Sequence, residues 1–233
     1  MVLLLTAGSI DPIKFISYLK TRIDEENGIV PLTIQEWISR VHIALRENPE
    51  IFNQALDYIE EKAKIKLPRI FNAVYSAGSA GAGKSRVVGR NFAKYLKSNN
   101  IWLSAPKESQ VDTLFESVGK GEISLIRDTS STRSDLSSSL MQKIGVDKTA
   151  YDAAMLAIRS GKEDSNYFTV TNIQGVGNII KINPDKFGIK KIDNAPEAII
   201  IDEATHLSNL ELQLLSHFAK LNETTLHFLG DNK

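Results

Sequence analysis

From residue 78 to 85 the chain reads Gly78-Ser79-Ala80-Gly81-Ala82-Gly83-Lys84-Ser85, a complete G-x-x-x-x-G-K-[ST] pattern. Phosphate chemistry gives each residue type a task. Glycines let the main chain wrap closely and adopt dihedrals closed to other residues. The N–H groups so bared, with the N-terminus of a following helix, offer donors and partial positive charge to a β-phosphate. Lys84 is placed to span the β- and γ-phosphates, and the Ser85 hydroxyl to reach Mg2+. A merely flexible turn has no need of lysine and serine in this register. These residues predict a site for ATP with Mg2+.

Such a site also needs a carboxylate at the end of a buried strand, and Ile199-Ile200-Ile201-Asp202-Glu203 supplies one. Asp202 is expected to hold Mg2+, mainly through water, and Glu203 to orient or deprotonate the attacking water. Neighbouring side chains diverge at a strand end, so the two acids can take different roles. Acid pairs also serve purely as metal support, which is the alternative for Glu203. His206 follows the acids and either senses the γ-phosphate or strand, or is satisfied locally; the four histidines have no metal-ligand spacing.

The elements that must hold these groups are readable in outline. Ile70 to Tyr75 reads as a strand entering the glycine-rich loop, and Lys84 to Lys97 as the helix leaving it. Ile101 to Ser104 is a second strand, and Ser109 with Asp112 is expected to cap a short helix carrying Val111, Leu114, Phe115 and Val118. Ala198 to Ile201 is apolar throughout, as in a strand covered on both faces. Ser208 and Glu211 form a capping box before Leu210, Leu214, Phe218 and Leu221, and Thr225 to Leu229 is the last strand. This alternation predicts an α/β layer fold with a mostly parallel sheet.

Ahead of it, three helices form a small helical unit. Asp11-Pro12 starts the first, with Phe15, Ile16, Leu19 and Ile23 on one stripe, and Asn27-Gly28 ends it. Thr33 with Glu36 caps a second carrying Trp37, Ile38, Val41 and Leu45, and Asn48-Pro49 starts a third with Phe52, Leu56 and Ile59. In the middle of the chain, residues 129 to 139 (TSSTRSDLSSS) read as a mobile loop. Thr149 and Asp152 cap a helix through Ile158; Tyr167 to Ile173 and Asn178 to Ile182 are a hairpin or two separate sheet strands. Asn183-Pro184-Asp185 signals a turn, and Pro196 excludes a central strand there.

Composition sets outer limits. The 233 residues, 42% of them hydrophobic, exclude disorder throughout and suit one domain or two small ones. No cysteine means no disulfide and no thiolate zinc site. The longest apolar runs, Val2 to Leu5 and Ala198 to Ile201, are far too short to cross a bilayer, and nothing after Leu5 reads as an export signal, so a cytoplasmic, nucleoplasmic or viral protein is expected. With 28 Lys+Arg against 28 Asp+Glu, net charge is silent about partners. Arg86, Arg90, Lys94 and Lys97 line one helix face, which reads as a solvated face before it reads as a nucleic-acid groove; Trp37 and Trp102 read as core.

A family resemblance follows from these segments. Ile201-Asp202-Glu203-Ala204-Thr205-His206 resembles the DEAx-type Walker B segment of helicases, and Phe228-Leu229-Gly230-Asp231 the third motif of superfamily 1 helicases. Trp102-Leu103-Ser104-Ala105-Pro106 with Val111 resembles that family's motif Ia. The resemblance covers about Ile70 to Asp231. It implies a RecA-like P-loop NTPase core, with residues 1–66 as the helical unit and 67–233 as the first RecA-like domain. It also implies that Gly83, Lys84 and Ser85 contact nucleotide and Mg2+, that Asp202 and Glu203 are metal ligand and base, that Ala105 and Pro106 touch a single-stranded backbone, and that Asp231 couples the two. Lys107 departs from the family's small hydroxyl residue. The family's glutamine two places after Asn232 would fall past Lys233, as would the arginines of a second RecA-like domain, so weak turnover by this chain alone is expected. No adenine-reading glutamine is evident beyond Gln54. The implied function is ATP-driven movement on, or unwinding of, DNA or RNA; the alternatives are a P-loop ATPase acting as a protein assembly, packaging or signalling switch, and a nucleotide-binding structural domain.

Overall fold

The computed structural model describes residues 9–27, 40–41, 43–44, 47–48, 50–66, 73–79, 82–84, 100–105, 108–118, 123–127 and 136–231. The chain opens with α1 (Pro12–Asn27) and, later, α2 (Glu50–Ala63). Asp11 caps α1 as its sequence predicts: Oδ1 accepts from the backbone N–H of Ile13 at 2.9 Å and of Lys14 at 3.2 Å. Asn48 Oδ1 does the same for Glu50 at 3.2 Å. The Thr33–Glu36 box and Trp37 lie outside the described residues.

The strand before the glycine-rich loop, β1, is Ala73–Gly78: it takes in Ala73–Tyr75 of the expected strand and runs on to Gly78, while residues 70–72 lie outside the described residues. All six residues pair with the neighbouring strand from Ala73↔Leu226 to Gly78↔Asp231, and this carries the small Ser76-Ala77-Gly78 into the sheet despite their weak β-propensity. Next come β2 (Ile101–Ala105), α3 (Glu108–Val118) and β3 (Ile123–Arg127), the last not foreseen from sequence. Ser109 and Asp112 lie inside α3 instead of capping it, because the turn that buries Val111 is already helical from Glu108. The predicted helix 84–97 lies outside the described residues beyond Lys84.

Helix α4 (Leu136–Lys143) corrects the 136–139 part of the loop expected over 129–139, of which 129–135 lie outside the described residues: its first turn takes in Leu136 to Ser139, anchored by the fully buried Leu140 and by Met141 and Ile144 downstream. Helix α5 (Lys148–Arg159) is capped by Asp147, whose Oδ1 accepts from Ala150 N at 2.8 Å, and not by Thr149; Asp152 instead pairs with Lys148 at 2.6 Å. The strands β4 (Asp164–Ser165), β5 (Phe168–Ile173) and β6 (Gly177–Ile182) form a separate antiparallel sheet, so the segment is a hairpin with a short third strand. A one-turn 3-10 helix, Pro184–Phe187, occupies the Asn-Pro-Asp turn. Then follow β7 (Ala198–Ile201), a 3-10 turn at Ala204–His206, α6 (Asn209–Asn222) and β8 (Thr225–Asp231). The Ser208–Glu211 capping box is formed from both sides.

The main sheet has the order β1-β8-β7-β2-β3 and every pairing in it is parallel. Period-two alternation sends Trp102, Ile199, Ile201, Leu226 and Phe228 to one core with α4 and α6. It sends Ile101, Leu103, Ala198, Ile200 and Leu229 to the other, with Val111 and Leu114 of α3. This is a RecA-like P-loop topology, an α/β fold preceded by small helices.

The hairpin is two-faced. Phe168, Val170, Ile180 and Ile182 pack on the main core, while Ile173 and Ile179 join Phe15, Leu19, Leu56 and Ile59 of the N-terminal helices. The adjacent Ile179-Ile180 pair encodes both faces at once. The outer edge of β6 is covered: Ile180 N donates to Ser9 O at 2.8 Å, and the buried Gln213 of α6 accepts from Ile182 N at 3.1 Å and donates to Ile180 O at 3.0 Å. Among the described residues no helix is long and apolar enough to cross a membrane.

Candidate functional site

A parallel sheet gathers the carboxyl ends of its strands along one edge, and the crevice there is where open α/β sheets place ligands. At that edge β1 ends on Gly78, which is paired with Asp231 of β8. One strand further, Ile201 of β7 is paired with Phe228 on one side and Ser104 on the other. Asp202 N donates to Ser104 O at 2.9 Å, so Asp202 stands level with Ala105, the buried last residue of β2. The topology thus brings Gly78, Asp202, Ala105 and Asp231 to one end of the sheet, with β8 inserted between the loop strand and the acid strand.

The loop has features that suit an anion. Gly83 has φ +75°, in the region that disfavours a β-carbon, and one built on Gly78 would lie 3.2 Å from Lys84 Cγ. Lys84 Nζ donates to two carbonyls of the loop itself, Gly78 O at 2.8 Å and Ser79 O at 2.9 Å. The ammonium is therefore held beside the curve of the loop, where a phosphate would exchange those neutral acceptors for charged ones. Ala82 N closes a turn onto Ser79 O at 3.1 Å. Ala80, Gly81 and Ser85 lie outside the described residues, as does Pro106.

The acid pair is shaped by its backbone. Asp202 Oδ1 accepts from Glu203 N at 3.1 Å. Glu203 has φ 52° and ψ 39°, a left-handed conformation that costs a non-glycine residue roughly 1–3 kcal/mol unless its surroundings enforce it. From there the chain turns tightly: His206 N donates to Glu203 O at 3.0 Å and Leu207 N to Ala204 O at 3.1 Å. His206 Nε2 lies 3.9 Å from Glu203 Oε2, and both side chains are about one-third exposed. Among the described residues no three His, Asp or Glu side chains cluster as a metal site. Asp202 brings a carboxylate to this end of the sheet, and a hard oxygen donor is what Mg2+ takes. Beneath the site, burial in β8 pushes the His227 imidazole down to about 4, so it is neutral at pH 7.

Tyr75 and Thr205 were not singled out by sequence. Tyr75 Oη, Tyr75 Cε2 and Thr205 Cγ2 lie 2.9, 3.3 and 3.2 Å from the point where a β-carbon on Gly230 would be. Neither the strand Ala73-Val74-Tyr75 nor Ala204-Thr205-His206 carries a local signal of this meeting, which exists only through the Tyr75↔Phe228 register.

A family model described as RNA cytidine acetyltransferase NAT10/TcmA, helicase domain, matches residues 76–227, from within β1 into β8 and more than half of the chain. No curated protein and no solved structure gives a match.

Proposed function

The chain belongs to the NAT10/TcmA helicase-domain family, and on that premise we propose that it binds ATP with Mg2+ and hydrolyses it to move along or open RNA. What supports the reading is that the strand leading into the glycine-rich loop and the strand leading into the Asp202–Glu203 pair end at the same edge of a parallel sheet. The family's name puts RNA before DNA as the strand engaged.

In this reading the backbone of Gly78, Ser79, Ala80, Gly81, Ala82 and Gly83 cradles the phosphates. Lys84 leaves its two loop carbonyls for the β- and γ-phosphate oxygens. Ser85 and Asp202 hold Mg2+, which when bound neutralises charge on those oxygens. Glu203 accepts a proton from the attacking water. Ala105 and Pro106 meet the single-stranded backbone beside the acids, and Asp231, opposite Gly78, relays between strand and nucleotide. A second RecA-like domain C-terminal to this chain supplies the cation that completes the γ-phosphate site, commonly worth about 10³–10⁵ in turnover in related hydrolases.

The test is single-turnover hydrolysis in the full-length protein with and without single-stranded RNA or DNA. Glu203→Gln is expected to slow the step by about 10²-fold or more while keeping ATP affinity, the usual scale for a general base. RNA is expected to stimulate more than DNA. Hydrolysis indifferent both to Glu203→Gln and to either strand would overturn the reading.

A further inference from the structure

Glu203 occupies a left-handed conformation, and something must hold it there. Two of its restraints are local, the Asp202 side chain on its N–H and the His206 N–H on its carbonyl. They fix the turn's internal shape and leave open where the turn sits relative to the phosphate loop. Three elements meet to answer that. The Ala204–His206 turn packs on β8, and its Thr205 methyl lies beside the bare backbone of Gly230. Tyr75 of β1 brings its hydroxyl and ring edge to the same point over that glycine. A residue with a β-carbon at 230 would displace both. Tyr75 belongs to the strand that ends in the loop at Gly78, three residues on, so it is rigidly tied to the phosphate side.

We infer that Tyr75 is a positioning residue: its ring, seated over Gly230 against the Thr205 side of the turn, sets the acid pair at a fixed distance from the phosphate loop and keeps Glu203 in its left-handed conformation. The inference rests on the proposed hydrolysis for its catalytic consequence, but its structural half does not. Both the hydroxyl and the ring edge lie at the glycine, so alanine removes the whole seat and phenylalanine only its hydroxyl.

Two readouts separate these parts. In Tyr75→Ala, amide exchange of His206 and Leu207, whose N–H groups close the turn, is expected to quicken by about 10-fold or more, and in Tyr75→Phe, which keeps the ring, by less. Thr205→Ser, which removes only the methyl at an exposed position, is expected to quicken the same amides to a smaller extent and keeps the test available if Tyr75→Ala does not fold. In the full-length protein Tyr75→Ala is expected to lower the single-turnover rate by about 10- to 100-fold with ATP affinity held within about twofold, as a small misplacement of a base would. Unchanged exchange at His206 and Leu207 in both Tyr75→Ala and Thr205→Ser would overturn the inference. Quickened exchange in a protein that hydrolyses no ATP would uphold the positioning and overturn the hydrolysis reading.

Discussion

Replacing Gln213 by leucine keeps the side chain's bulk and removes two hydrogen bonds, the one it accepts from Ile182 N at 3.1 Å and the one it donates to Ile180 O at 3.0 Å. Gln213 is 1% exposed, so its amide has no water to exchange with and lies along β6 much as a neighbouring strand would. Loss of one partner leaves a buried donor or acceptor with its full desolvation cost, about 1–3 kcal/mol each. Ile182 is nearly as buried as Gln213, and its N–H sits at the high end; Ile180 is half-buried, and its carbonyl sits at the low end. The sum is about 3–4 kcal/mol, a large share of a typical total of about 5–15 kcal/mol. For a chain of this size that lowers the melting temperature by about 5–15 °C. Gln213→Ala should fall further, since it adds a cavity. Thermal melts give the magnitude, and amide exchange at Ile182 shows whether the loss sits where it is assigned. A Gln213→Leu protein melting within about 1 °C of the parent, with Ile182 exchange unchanged, would refute the reasoning.

Burial lowers the His227 pKa from 6.5 to about 4, so between those values the unfolded chain binds the extra proton and the native one does not. Stability is then full above pH 6.5 and falls as pH drops toward 4, by up to about 1.4 kcal/mol per unit; urea titrations should show this slope and His227→Leu should flatten it. Ser208→Ala, which breaks the capping box on α6, should cost about 0.5–2 kcal/mol in the same titrations. Ile179→Ala should cost about 2–5 kcal/mol and release the N-terminal helices to faster amide exchange, with β7 and β8 still protected, because Ile179 is fully buried on the helix-facing side of the hairpin.

What the sequence made legible was whatever a short window determines. The four apolar residues Ala198 to Ile201 required cover on both faces and have it. Ser208 and Glu211 cap each other within one turn, and Asp11 caps its own helix. What a window does not determine was missed. Asp147 and Thr149 are both competent caps, and the choice was made by Phe187, whose carbonyl accepts from Asp147 N at 2.8 Å from forty residues away. Ser137 to Ser139 look like loop until Leu140 and Ile144 are seen to be buried and to draw the preceding turn into a helix. The five residues of β3 acquire their meaning only beside β2. The candidate site divides the same way. Its loop and acids are local patterns, and they mark chemistry directly. The seat of Tyr75 over Gly230 depends on a register between residues 153 apart in sequence and on a missing side chain, which no local pattern displays.

The central claim is that Lys84 and its loop receive the phosphates of ATP, and calorimetric titration of the chain with ATP and Mg2+ tests it most directly. The parent should bind saturably, and more weakly when Mg2+ is withheld. Lys84→Ala should bind at least about 10-fold more weakly, since a hydrogen bond to a charged phosphate oxygen is worth about 1.5–3 kcal/mol and about 1.4 kcal/mol is a factor of ten. Parent and Lys84→Ala proteins that bind with the same affinity, or a folded parent that binds no ATP, would contradict the account.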